Sequence, residues 1–148
     1  MNLKCNYGVI VGHIVEHKII VMSIKMIIPI EVFSVDVEVV ITDDVSDAIE
    51  KLDKENKDKN NIYADTISGF DAAFSFYCNQ YKDGMIYKRV GMIISEDADD
   101  EMVIHECLHT AWHVLEHKCI DVSRNNHEML AYLQGFLYNK VKAKLLKL

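Results

Sequence analysis

The sequence predicts an α+β domain in which a mixed or antiparallel sheet packs against three helices. Three observations carry that expectation. Val- and Ile-rich runs fill the N-terminal region, with Val35, Val37 and Val39 alternating against Asp36 and Glu38. A turn signal, Lys82-Asp83-Gly84, separates two further apolar runs. Residues 97–148 instead repeat their apolar positions at helical spacing. At 148 residues the chain reads as one domain: 1–95 mostly strands plus one helix, then 97–148 as a two-helix part.

Strands are expected at Tyr7–Val15, Lys18–Ile24 and Glu31–Ile41, with Gly12 and Pro29 where a bulge, bend or edge tolerates them. Thr42, followed by Asp43 and Asp44, reads as an N-cap with acidic first-turn residues. The helix it opens, over 43–57, presents Val45, Ala48, Ile49 and Leu52 as one stripe. The polar run Lys54–Asn61 reads as a solvated helix end and loop. Gly69–Cys78 and Met85–Ser95 read as a hairpin. A helix opened by Ser95 or Asp97 then runs to about His117. A last helix starts near His127, with Leu130, Leu133, Leu137 and Val141 as its apolar stripe.

Composition excludes several functions. A net charge of −7 suits a phosphate backbone poorly, so no nucleic-acid partner is expected. The apolar stretch Ile19–Phe33 is broken by Lys25, Pro29 and Glu31, so no membrane span is expected either. Four scattered cysteines without a C-x-x-C pair fit a reducing compartment, and a soluble, cytoplasmic protein is the expectation.

The informative segment is Val103-Ile104-His105-Glu106-Cys107-Leu108-His109, an H-E-x-x-H inside an expected helix. Residues i and i+4 share a helix face, so His105 and His109 can offer imidazole nitrogens to one tetrahedral metal. Glu106 lies about 100° around the helix and can serve as general base without occupying a coordination position. His113 and His117 continue the four-residue ladder, so a merely His-rich helix is the competing account. A catalytic zinc normally takes three protein ligands. Glu128 follows His109 after eighteen intervening residues, in the first turn of the last helix, and an antiparallel helix pair would bring it near.

Here the chain resembles the gluzincin branch of the zincin metallopeptidases, in H-E-x-x-H followed by Glu128 within Asn126-His127-Glu128-Met129-Leu130-Ala131-Tyr132. It is also similar to short HExxH proteins of bacteriophages and other mobile elements, and SprT-like and ImmA/IrrE-like minimal zincins share its scale. The metzincin form fails, because Trp112 stands where that pattern needs Gly. The resemblance covers residues 97–135. It implies a bound Zn2+ held by His105, His109 and Glu128, with Glu106 activating water for peptide hydrolysis.

Alternatives stay open at several positions. His127 could replace Glu128 as third ligand, whereas His113 drifts away along the helix. Trp112 lies about 20° from His105 and either packs in the core or walls the site. Tyr132 is a candidate catalytic residue, donating to a developing oxyanion, or else a helix–helix contact. Arg124 reads as loop, Cys107 as core, and Asp121 as a possible partner fixing a histidine tautomer. In zincins an edge strand pairs with the peptide, and Met85–Ser95 is the expected strand. Its Lys88 and Arg89 would also guard an exposed edge. The leading expectation is a small zinc-dependent peptidase acting on a peptide or protein substrate. The other is a non-catalytic zincin-fold protein that engages a host protein.

Overall fold

The chain begins its sheet with Ser23–Ile30 (β1), closes a single 3-10 turn at Glu31–Phe33, and returns antiparallel as Val35–Thr42 (β2). The computed structural model describes residues 22–55 and 73–148. The expected strand Tyr7–Val15, most of Lys18–Ile24, the end of the polar run and the start of Gly69–Cys78 lie outside them. Ser34 takes a left-handed φ of 50° where β1 turns into β2, which is why the expected strand Glu31–Ile41 starts four residues late.

After β2 the chain forms a helix, Val45–Glu55 (α1). Its N-terminus is capped by Asp44, whose Oδ1 accepts from the Asp47 N–H at 2.9 Å, rather than by Thr42. Thr42 instead accepts from the Asp44 N–H through Oγ1 at 3.1 Å, completing the sheet-to-helix corner. Ala73–Lys82 (β3) and Met85–Ser95 (β4) then form the expected hairpin. Asp83 and Gly84 have φ of 51° and 77°, the positive values that a two-residue type I′ loop demands of both central positions.

Two long helices follow, Asp100–His117 (α2) and His127–Leu145 (α3). The N-cap of α2 is Asp99, whose Oδ1 accepts from the Met102 N–H at 2.8 Å. Ser95 and Asp97 are used earlier: Ser95 still pairs with Thr42 in the sheet, and its Oγ accepts from the Asp97 N–H. At the other end the Cys119 N–H bonds to the Glu116 carbonyl and the Ile120 N–H to the Leu115 carbonyl, both at 2.9 Å. That is a Schellman cap, with Cys119 (φ 56°) where glycine is usual.

The sheet order is β1-β2-β4-β3, with β2 and β4 parallel and the two flanking pairs antiparallel. The fold is therefore α+β with a mixed sheet. Side chains alternate across it. On one face Val37, Val39, Val90, Met92 and Ile94 meet Val103, Cys107, Ala111 and Val114 of α2 and Leu133, Leu137 and Val141 of α3. On the other, Phe76, Cys78 and Ile93 receive Val45, Ile49 and Leu52 of α1. Leu130, the remaining member of the expected α3 stripe, is partly buried against the larger cluster.

One expectation is overturned. Met85–Ser95 is not an edge strand, because β2 pairs with it in parallel from Val37–Val90 to Thr42–Ser95 while β3 covers its other side. Lys88 is exposed, but Arg89 is not the surface charge expected of it. Arg89 is buried and donates through Nε and Nη2 to both oxygens of Glu38, at 2.7 and 2.8 Å. Its Nη1 reaches Glu55 at 2.8 Å, and Lys25 completes the network at 3.0 Å from Glu38. Among the described residues the sheet edges are β1 and β3. No helix among them is long and apolar enough to cross a membrane.

Candidate metal centre

α2 lies across β3 and β4 with its floor set by Val103, Cys107, Thr110 and Val114, all fully buried. Those four recur at helical spacing, so the opposite side of the same helix must face solvent. His105 and His109 occupy that side. Their rings meet edge to face with centroids 4.7 Å apart, and their Nε2 atoms stand 3.0 Å apart. Two nitrogens each 2.0–2.1 Å from a tetrahedral zinc would be separated by about 3.3 Å. The pair is thus within a few tenths of an ångström of the spacing a shared metal requires.

Glu106 projects between this face and the β3 side. The residue as a whole is only 5% exposed, and its carboxylate makes no hydrogen bond or ion pair with another described residue, its oxygens keeping contact with solvent. Cys107, the next residue, is fully buried and its thiol pKa is pushed up to about 12, mainly by burial. It is core, as expected.

The four-histidine ladder divides. Each four-residue step turns a helix by about 400°, so successive members rotate by about 40°. His113 and His117 have consequently swung toward β3, where Tyr77 packs on both rings at centroid distances of 5.8 and 5.9 Å. Tyr77 Oη lies 3.4 Å from His117 Nδ1. Burial pulls the His113 imidazole pKa below its ordinary value, outweighing the opposing Glu116 carboxylate 3.4 Å away. Sequence reading missed Tyr77, although its place in an aromatic run opposite the His helix was the available signal.

The two candidate third donors, His127 and Glu128, lie at the start of α3. The loop before it is built by Asn126, whose Oδ1 accepts from Ser123 N–H at 2.6 Å and whose Nδ2 donates to the Asp121 carbonyl at 2.8 Å. Asp121 therefore contributes its backbone, and Arg124 is a loop residue whose carbonyl lies 2.8 Å from His127 Nδ1. His127 Nε2 lies 3.4 Å from Glu128 Oε1. Both side chains are exposed, at 59% and 76%. Among the described residues no three His, Cys, Asp or Glu side chains come together as one metal-holding group. The structure forms the histidine pair and leaves Glu128 and His127 beside each other on the neighbouring helix.

Two aromatic side chains, Trp112 and Tyr132, are exposed. Trp112 is 49% exposed, so it is not core but stands on the histidine face one turn beyond His109. Tyr132 is 77% exposed and lines a groove between α3 and β1, whose lining does not include His105, Glu106 or His109. A helix–helix contact does not describe it.

α3 packs antiparallel to α2. Gln134 Nε2 donates to the Ile104 carbonyl at 3.2 Å, and Lys142 pairs with Asp100. Comparison with protein-family models, with curated proteins and with solved structures finds no match to this chain.

Proposed function

We propose that the protein is a small zinc-dependent peptidase that hydrolyses peptide bonds with Glu106 as general base. The observation that carries this reading is the pair of Nε2 atoms 3.0 Å apart, with the Glu106 carboxylate on the adjacent residue. A structural metal site has no use for that carboxylate, whereas a hydrolytic one does. His105, His109 and Glu128 would hold the metal, and two imidazoles with a carboxylate are a donor set suited to zinc. Zinc bound there supplies Lewis acidity to a substrate carbonyl and makes water acidic enough to ionise near neutral pH.

Glu106 then accepts the proton of the attacking water as its oxygen adds to the carbonyl carbon. It returns that proton to the amide nitrogen as the C–N bond breaks, so the amine leaves neutral.

The test is metal content per chain by elemental analysis, followed by a peptide-library cleavage screen, on wild type, His109→Ala and Glu106→Gln. One zinc per chain in wild type and in Glu106→Gln, lost in His109→Ala, with cleavage by wild type alone, is the expected result. Zinc retained with no cleavage by any form would leave the non-catalytic binding reading. A folded wild type that takes up no added zinc would end the metal reading altogether.

A further inference from the structure

β1 is an edge strand among the described residues, and beside it runs an apolar groove of about 1000 Å3. One wall is the run Met26–Ile30, and the other is Met129, Tyr132, Leu133 and Phe136 of α3. Ile27, Tyr132 and Phe136 remain 51%, 77% and 41% exposed. A bare sheet edge next to exposed aromatic side chains invites association, and folded proteins cover such edges.

We propose that the chain's own N-terminal segment covers it, with residues 5–10 adding to β1 as an antiparallel fifth strand. The segment lies outside the described residues and is directly continuous with β1. Its point of entry is fixed: the Asp43 N–H bonds to the Met22 carbonyl at 3.4 Å, at the end of β1 far from the 3-10 turn. A return along β1 needs only a hairpin loop, the shortest connection an antiparallel pair allows.

The sequence specifies a register. The two apolar runs Tyr7–Val15 and Lys18–Ile24 leave Glu16 and His17 between them. Any even loop centred on those two residues sets Val9 opposite Ile24, Tyr7 opposite Met26 and Cys5 opposite Ile28. Met26 and Ile28 belong to the core face that α3 covers. Paired residues share a face, so Cys5, Tyr7 and Val9 would lie over the groove, and Asn6 and Gly8 would turn the other way. The apolar and polar positions therefore alternate in the phase the groove requires. A slip of one residue would reverse them and put Asn6 against Phe136 and Tyr132. Pro29 has no N–H to offer, which ends the pairing after Ile28.

The test uses the full chain. In the wild type, amide hydrogen exchange at residues 5–10 and at β1 is expected to be slowed roughly 100-fold or more, independent of protein concentration. Tyr7→Glu and Val9→Glu should each lower Tm by roughly 4 °C or more, while Asn6→Glu lowers it by less than half as much. Unprotected exchange at residues 5–10 would overturn the proposal without any variant. Protection that appears only at high concentration would assign the edge to a second copy instead. Equal sensitivity at Asn6 and Tyr7 would overturn the register.

Discussion

Thr110 Oγ1 donates to the Gly91 carbonyl oxygen at 3.4 Å, and so the residue after His109 is tied to the central strand of the sheet. Gly91 itself has no room for a side chain. A Cβ there would fall 2.3 Å from the Glu38 carbonyl oxygen and 2.5 Å from the Phe76 ring. Gly91→Ala is expected to destabilise the fold by at least about 1–3 kcal/mol, read by urea denaturation. It should also weaken metal uptake, because it moves the strand on which α2 rests.

Arg89 is the charge on which the α1 face depends. Arg89→Met leaves the partly buried Glu38 with Lys25 as its remaining partner, and a loss of about 1–3 kcal/mol is expected in the same denaturation assay.

Acid should attack the same network. Burial pushes the Glu38 carboxyl up, but hydrogen bonds and charge from Arg89 and Lys25 together outweigh it and hold its pKa below 4.5. A lowered acid contributes stability that is in place above its ordinary value and lost as pH falls through the folded value. Unfolding free energy should therefore drop below about pH 4.5. Glu38→Gln should be less stable at pH 7 and flatter in that acid window. An unchanged slope in the variant would remove Glu38 from the account.

Cys119 occupies a left-handed position that costs a side chain about 1 kcal/mol and costs glycine little. Cys119→Gly should raise stability by up to that amount, visible as a small rise in Tm.

The choice of third ligand is open to a direct ranking. Glu128→Ala is expected to weaken zinc binding more than tenfold, and more than His127→Ala does, in a competition titration with a chelator. The reverse order would give the position to His127, whose Nδ1 is already held against the Arg124 carbonyl.

Much of the architecture was legible because local chemistry decides it. The Asp83-Gly84 loop, the bounds of β4 and the start of α3 follow from turn residues and periodicity, which act over a few residues. The histidine pair was legible for the same reason, since i and i+4 share a face whatever surrounds them. Strand order was not. Nothing within Met85–Ser95 says that β2 will pair beside it, and its outer half, Met85–Lys88, is exposed as an edge strand would be. Arg89 could be read as a surface charge because Glu38, its partner, is distant in sequence. Trp112 stayed undecided in sequence because size alone argues burial, while its offset of about 20° from His105 argues for the histidine face. The position of Glu128 depends on how two helices cross, which no spacing within either helix encodes.

The parallel seam between β2 and β4 also sets the order in which the molecule can assemble. β1–β2 and β3–β4 are hairpins, and each can close through contacts near in sequence. Val37 and Val90, by contrast, are about fifty residues apart. Their meeting carries the largest loop-closure entropy in the sheet, which makes it the slow step. During synthesis the first hairpin must wait, with Val37 and Val39 uncovered, until β4 has been made. Substitutions along the seam should therefore slow folding, whereas substitutions at the C-terminal end of α3 should act mainly by speeding unfolding.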